Sequence, residues 1–246
     1  MILFADFDGT LYFRDNQEKT DANLNAIKNW RASGHQFCIT TGRSYRSVTK
    51  ELPQIKELSD YYIVDSGSII LSQTGAILET FYFDPKLIPG ITEFFKNLPE
   101  KSIPLYYTPN SENTIYETKH ITKLRFWFKN LDQFPEIIKQ LEKSFPVLAF
   151  KQKAFSEKKE LLGQIGFIEI IPIEYGKSHA IKVLAKKANI LDKDIIAVGD
   201  GSNDYRMVRD FHGFAIKNSN LSKIHQDLST TVSVSWLIQQ LLQNLA

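Results

Sequence analysis

Residues 1–5 of this chain, Met-Ile-Leu-Phe-Ala, are all apolar, and the run ends at once in Asp6-Phe7-Asp8-Gly9. A continuous apolar run of this length, closed by Asp-Gly turn chemistry, reads as a short strand buried in a sheet. The segment delivers two carboxylates, two positions apart, to the end of that strand. Like charges held close repel, and burying them costs free energy unless something neutralises them. A fold that accepts this segment must bring positive charge to the same place.

The rest of the N-terminal third alternates between two periods. Residues 20–33 carry Ala22, Leu24, Ile27 and Trp30 (or Ala26) at helical spacing, with Thr20 or Asp21 as the expected cap and Gly34 as the expected stop. Residues 35–40 predict a second strand, 44–52 a helix halted by Pro53, and 61–64 and 68–71 two strands around the turn Asp65-Ser66-Gly67. The C-terminal part repeats this texture. Residues 178–189 place Ile181, Leu184, Ala185 and Ala188 on one helical face, 195–198 form a buried strand, 204–208 open a helix and 213–216 form a strand. Alternating strands and helices predict an α/β layer on a parallel sheet.

The middle has another order. Helix is predicted over 84–98 and 132–144, and strand over 103–108, 121–129, 147–153 and 164–171. Helix, strand, strand, twice over, predicts an antiparallel sheet with helices on one face, a small α+β domain. The expected organisation is therefore a core of residues 1–83 and 172–246, interrupted by an inserted domain over 84–171, with Pro85 and Pro172 near the crossings.

Composition narrows the function classes. With 246 residues, 43% hydrophobic and 24% charged, the chain has enough apolar content for a sizeable core. The net charge is +2 and no polybasic block occurs, so nucleic acid is not an expected partner. No apolar stretch reaches membrane-spanning length, so no membrane is expected. Asp6 and Asp8 interrupt any secretory apolar region at the start, and the expected location is the cytoplasm. Cys38 is the one cysteine, which excludes an internal disulfide; within Phe37-Cys38-Ile39 it reads as a core residue. The mixed-sign run 156–160 reads as a solvated segment.

Ligands of open parallel sheets bind beyond the carboxyl ends of the strands. There the sequence places Asp6 and Asp8, then Thr40-Thr41-Gly42-Arg43, then Gly176-Lys177-Ser178 at a helix start, then Gly199-Asp200-Gly201-Ser202-Asn203-Asp204. Several carboxylates in one place need a cation, and oxygen ligands without a His or Cys cluster suit Mg²⁺. Glycines admit backbone N–H groups close to an anion, lysine adds a point charge and threonine a hydroxyl. This is the equipment of phosphoryl transfer: positioning, plus positive charge where the phosphate charge spreads.

"DFDGTL" (6–11), "TTGR" (40–43), "GKS" (176–178) and "GDGSND" (199–204), in this order, resemble the four motifs of the haloacid dehalogenase superfamily. The long insert between the second and third motifs resembles the type IIB cap of its Cof-type, sugar-phosphatase-like branch. The resemblance implies a Rossmann-like core with an α+β cap, and a Mg²⁺-dependent phosphatase of small phosphorylated metabolites, sugar phosphates foremost. It implies Asp6 as the nucleophile that becomes an aspartyl-phosphate and Asp8 as the acid, then base, that serves the leaving group and the water. Thr41 would bond the phosphoryl oxygens, with Gly9, Gly42 and Asn203 beside it, and Lys177 would neutralise nucleophile and phosphoryl group. The metal ligands would be Asp6, the Asp8 backbone carbonyl and Asp200, with Asp204 in support. The same motifs also serve a phosphomutase, and a non-catalytic phosphate-binding protein is the further alternative.

Each motif alone has an ordinary explanation: Asp6 and Asp8 as cap and turn, Thr41-Gly42 as a turn, Arg43 as a carboxylate's partner. A nucleotide P-loop is excluded, because the glycine it requires five residues before Gly176 is Ile171. A dinucleotide fingerprint at Gly199-Asp200-Gly201 fails because its third glycine is Asp204, the wrong charge beside a pyrophosphate. The five histidines show no metal-ligand spacing. In the insert, Leu124, Phe126 and Phe128 alternate with Lys123, Arg125, Trp127 and Lys129. The first set is expected on the helix side. Two readings stand for Lys123, Arg125 and Trp127: substrate contacts, or a solvated sheet face. Two motifs depart from the family, Ser66-Gly67 where Asn-Gly is usual and Ile216-Lys217-Asn218 where Met-Gly-Asn is frequent.

Overall fold

The computed structural model describes residues 1–99, 102–108, 111–113, 120–129, 132–155, 165–172 and 176–245. The chain divides into two compact units, one of Met1–Glu79 with Lys177–Ala246 and one of Thr80–Gly176. The charge run 156–160 lies outside the described residues.

The first unit begins with β1 (Ile2–Ala5), α1 (Gln17–Ala32), β2 (Gln36–Thr40), α2 (Tyr45–Glu51), α3 (Ile55–Leu58), β3 (Tyr61–Val64), β4 (Ile69–Ser72) and β5 (Ile77–Thr80). The second contains α4 (Leu87–Lys96), β6 (Ile103–Thr108), β7 (Ser111–Asn113), β8 (Lys123–Phe128), α5 (Phe134–Ser144), β9 (Leu148–Phe155) and β10 (Ile165–Pro172). The chain then returns through α6 (Lys177–Ala188), β11 (Ile195–Gly199), α7 (Tyr205–Asp210), β12 (Phe214–Ile216), α8 (Asn220–Ile224), β13 (Thr230–Thr231) and α9 (Val234–Leu245).

The first unit carries an eight-stranded sheet in the order β13-β12-β11-β1-β2-β3-β4-β5. From β13 to β3 the pairs are parallel, and β4 runs antiparallel to β3. β1 sits between β11 and β2, with Ala5 beside both Val198 and Ile39. Every residue of β1 is fully buried, which is why its sequence is continuously apolar rather than alternating. Leu3 and Ala5 join Phe37, Ile39, Val198, Trp30 and Ile27 in one core.

α1 begins a turn earlier than its periodicity suggests. Asn16, not Thr20 or Asp21, is its cap, accepting from the Lys19 N–H at 2.9 Å. Thr20 is instead fully buried and its hydroxyl accepts from the Phe13 N–H, so it ties down the preceding loop. Gly34 follows the helix with φ of +82°, the left-handed turn that a glycine supplies cheaply.

The second unit has a five-stranded sheet in the order β7-β6-β8-β10-β9, antiparallel at every pair. Leu124, Phe126 and Phe128 of β8 pack with Ile91 and Phe95 of α4 and with Phe134 and Leu141 of α5, as the alternation predicts. Phe95 stacks on Phe126 with ring centroids 3.6 Å apart. Among the described residues no helix is long and apolar enough to cross a membrane.

Candidate active site

Asp6 follows β1 directly, and its N–H donates to the Val198 carbonyl of β11 at 2.9 Å. That bond fixes the first carboxylate beside the end of the neighbouring strand. β11 ends at Gly199, so Asp200 emerges at the same sheet edge. Parallel register therefore brings together two aspartates almost two hundred residues apart.

Asp204 closes on them from the following turn. One of its oxygens accepts from the Asp200 and Gly201 N–H groups at 3.1 and 2.9 Å. A Cβ on Gly199 would stand 2.4 Å from the Asp204 Cβ, so only glycine lets this carboxylate fold back over the strand end. The other Asp204 oxygen accepts from Lys177 Nζ at 2.6 Å and from the Asn203 amide at 3.3 Å. Lys177, the first residue of α6, also ion-pairs with Asp6. Thr10, fully buried, donates its hydroxyl to Asp200 at 2.8 Å. Gly9 has φ of +77°, and a Cβ there would meet an Asp200 oxygen at 2.5 Å.

Asp6, Asp200 and Asp204 each offer a carboxylate oxygen, all within 4.8 Å of one another. Burial, then the Asp204 charge, raise the Asp6 carboxyl to about 8; Lys177 pulls it down and Asp200 raises it further. Burial likewise raises Asp200. For Lys177, burial pulls the ammonium down, but Asp204 and Asp6 overcome it and hold the group above its ordinary value. One buried ammonium thus stands among three carboxylates, Asp6 and Asp204 buried and Asp200 half-buried. The set is all oxygen and short of positive charge, which fits a hard divalent cation such as Mg²⁺.

Asp8 and Thr41 join the site through Arg43. The guanidinium donates from Nε to one Asp8 oxygen at 2.8 Å and from a terminal nitrogen to the other at 2.5 Å, a two-pronged pair. The Arg43 N–H donates to the Thr41 hydroxyl at 3.1 Å. Thr41 is buried, and its N–H is bound to the Ile63 carbonyl of β3. Gly42 spans Thr41 and Arg43 in that turn. The next strand end adds backbone bonds: Asp65 and Ser66, both in the left-handed region, donate their N–H groups to the Arg43 and Thr41 carbonyls.

Lys123, Arg125 and Trp127 lie on the face of β8 opposite Leu124, Phe126 and Phe128. Lys123 is 1% exposed, its ammonium 3.7 Å from a Glu169 oxygen that Arg125 binds at 2.7 Å. The Arg125 guanidinium stands 4.1 Å from the Phe167 ring centroid, and Phe167 meets Trp127 edge-to-face at 5.0 Å. Glu169 and Phe167 of β10 were not candidates from sequence; they arrive through the register that pairs Glu169 with Arg125 and Phe167 with Trp127. Thr10 was also missed, although its place inside DFDGTL was the available signal.

The family model of the haloacid dehalogenase-like hydrolases matches residues 3–225. The Bacillus subtilis protein named "Putative phosphatase YxeH" is 24% identical over 232 residues, 84% of this chain and 83% of that protein. The 5-amino-6-(5-phospho-D-ribitylamino)uracil phosphatase YbjI of Escherichia coli is 22% identical, across 89% of this chain and 85% of its own. Among solved structures, the HAD subclass IIB sugar phosphatase BT4131 superposes with a TM-score of 0.76 at 16% identity, covering 98% of both chains. The chain belongs to the haloacid dehalogenase-like hydrolases, the family its four motifs resemble.

Proposed function

We propose that this haloacid dehalogenase-like hydrolase is a Mg²⁺-dependent phosphatase that removes the phosphoryl group from small phosphomonoesters, sugar phosphates foremost, through an aspartyl-phosphate on Asp6. The observation that carries this reading is the convergence of Asp6, Asp200 and Asp204 on one point with Lys177 bound to two of them. Three carboxylates against one ammonium leave an excess of negative charge for a divalent ion to offset. The names borne by the Escherichia coli relative and the sugar phosphatase of similar fold support the same reading.

Asp6, Asp200 and the Asp8 backbone carbonyl would hold the ion, with Asp204 supporting it. When bound, the ion supplies positive charge to the oxygens of the transferring group. An Asp6 oxygen attacks phosphorus as the bond to the leaving oxygen breaks, and Asp8 gives that oxygen its proton. Asp8 then takes a proton from the water that displaces Asp6 from phosphorus, releasing inorganic phosphate. Lys177 lowers the cost of ionised Asp6 and offsets phosphoryl charge. The Thr41 hydroxyl, the Gly9 and Gly42 backbone and the Asn203 amide orient the phosphoryl oxygens. We assign the chemistry to the first unit and the choice of substrate to the inserted one, through the half-buried Arg125 and Trp127, which the buried Lys123 and Glu169 brace from within the sheet.

Phosphate release from p-nitrophenyl phosphate and from a panel of sugar phosphates tests the reading. Asp6→Asn and chelation of divalent cations should each lower turnover by at least about 1,000-fold, since both remove parts that act as one unit. Release that survives both would overturn it. Arg125→Ala should reorder the sugar-phosphate panel more than it changes the aryl rate; an equal fall in both would end the assignment of specificity to that residue.

A further inference from the structure

Arg43 does more than meet Asp8. Its other terminal nitrogen reaches a Glu51 oxygen at 3.4 Å, and the second Glu51 oxygen accepts from the Tyr12 hydroxyl at 2.8 Å. Tyr12 stacks on Phe7 with ring centroids 5.1 Å apart and planes 13° apart. The Arg43 guanidinium lies over these rings, 5.1 Å from the Phe7 centroid and 6.0 Å from that of Tyr12. Arg43 is thus held on three sides: by Asp8, by Glu51 and by an aromatic floor.

Glu51 is costly where it stands. It is the last residue of α2, at the helix end where the backbone dipole disfavours negative charge. Lys50, one residue earlier, is the ordinary occupant of such a position. The side chain is 28% exposed, so its pairs with Arg43 and with the mostly exposed Arg14 add little to stability by themselves. Its hydrogen bond to Tyr12 is the first cause that lowers the Glu51 carboxyl and raises the Tyr12 phenol, which keeps the acceptor ionised and the donor protonated.

We propose that Glu51, locked by Tyr12, is a positioning residue for the phosphoryl-transfer reaction: it fixes the Arg43 fork, and the fork holds the Asp8 carboxyl at the leaving-group side of Asp6, keeping its grip on one oxygen while the other carries the proton that Asp8 donates. The inference rests on the function proposed above. Glu51 touches neither substrate nor reacting atoms; it acts through Arg43. A freely turning Arg43 would let Asp8 rotate away, and displacement of a catalytic group by an ångström costs on the order of 100-fold.

Leaving groups separate positioning from a structural role. A sugar alkoxide needs the Asp8 proton as its bond to phosphorus breaks; p-nitrophenolate leaves without one. The value of kcat/KM covers events up to the first bond cleavage, so the ratio of kcat/KM for glucose 6-phosphate to that for p-nitrophenyl phosphate reads Asp8 placement. Glu51→Ala should lower this ratio about tenfold. Glu51→Gln, which keeps an acceptor for Tyr12, should lower it less, and Tyr12→Phe should lower it in the same direction. Thermal melts show that each variant is folded. Equal losses on both substrates, or none, in folded Glu51→Ala and Glu51→Gln overturn the inference. Asp8→Asn is the control: a ratio that falls there but not in the Glu51 variants removes only the positioning role, whereas an unchanged ratio in Asp8→Asn removes the role of Asp8 itself and the inference with it.

Discussion

Each unit of this molecule buries a cluster of charges, and the two are built in different ways. In the first unit three carboxylates, Asp6, Asp200 and Asp204, surround one ammonium, Lys177. In the second, two cations, Lys123 and Arg125, converge on one carboxylate, Glu169, against the Phe167 and Trp127 rings. The first cluster is assembled at strand ends: Asp6 follows β1, Asp200 and Asp204 follow β11, and Asp204 is held by two backbone N–H groups. The second is assembled within a sheet, from residues directly across from each other on β8 and β10. Strand ends leave room for a ligand; a cross-strand ladder mainly fixes its own members. The difference teaches that like charges gathered at strand ends make a site, whereas opposite charges paired across strands make a brace.

Removal of one carboxylate from each cluster tests the contrast, and the largest effect falls in the first. Asp200→Asn should lower phosphatase turnover by about 1,000-fold. The same variant should melt at a higher temperature than the parent when both are free of divalent ions, because it relieves repulsion that only a cation offsets. Calorimetry with Mg²⁺ should show weakened binding. A lower melting temperature for the metal-free variant would mean that Asp200 braces the fold, and the contrast would fail.

Glu169→Gln is the counterpart and should act in the other direction. It takes the shared charge from a lysine that is 1% exposed and an arginine beside it. Breaking a buried pair by removing one partner costs about 3 kcal/mol, read as a lower urea midpoint at unchanged slope. A midpoint equal to that of the parent would show that these cations are held by other groups, and the second cluster would cease to be a brace.

The same distinction explains what the sequence discloses. Asp6, Lys177, Asp200 and Asp204 are legible because each sits in a short local pattern of apolar strand, turn residues and helix start. The parallel order then brings the ends together without further instruction. The β1 run announces its burial on both faces by lacking alternation. Glu169 carries no such local mark: it lies in the apolar run Ile165–Pro172 and gains its meaning only from the register with β8. Glu51 is hidden for a similar reason, since its partners Tyr12 and Arg43 are 39 and 8 residues away. Asn16 was passed over as a cap because apolar periodicity starts only after the first turn of α1. β13, α8 and α9 follow turns whose length gives little direction. Asn23, fully buried in α1, holds the start of α9 by accepting from the Ser235 N–H at 2.9 Å, a contact across 212 residues.

The smallest effect is in stability against pH, and it sharpens the contrast by its sign. The Asp6 carboxyl is raised from its ordinary value to about 8 by burial and by Asp204 and Asp200. Between the unfolded value near 3.8 and the folded value, the native state keeps a proton that the unfolded chain has lost. Stability from this group is therefore complete below the unfolded value and declines as pH rises through the folded one. The metal-free protein should lose a few degrees of melting temperature between pH 6 and pH 8.5. Mg²⁺ should restore more at the higher pH, because it binds the ionised cluster. Asp6→Asn removes the group that titrates, so the pH slope of the metal-free variant should flatten. A slope that persists unchanged in Asp6→Asn would place the titration elsewhere. A Mg²⁺ stabilisation that shrinks as pH rises would show that the ion does not bind these carboxylates, since ionisation can only strengthen their hold on a cation.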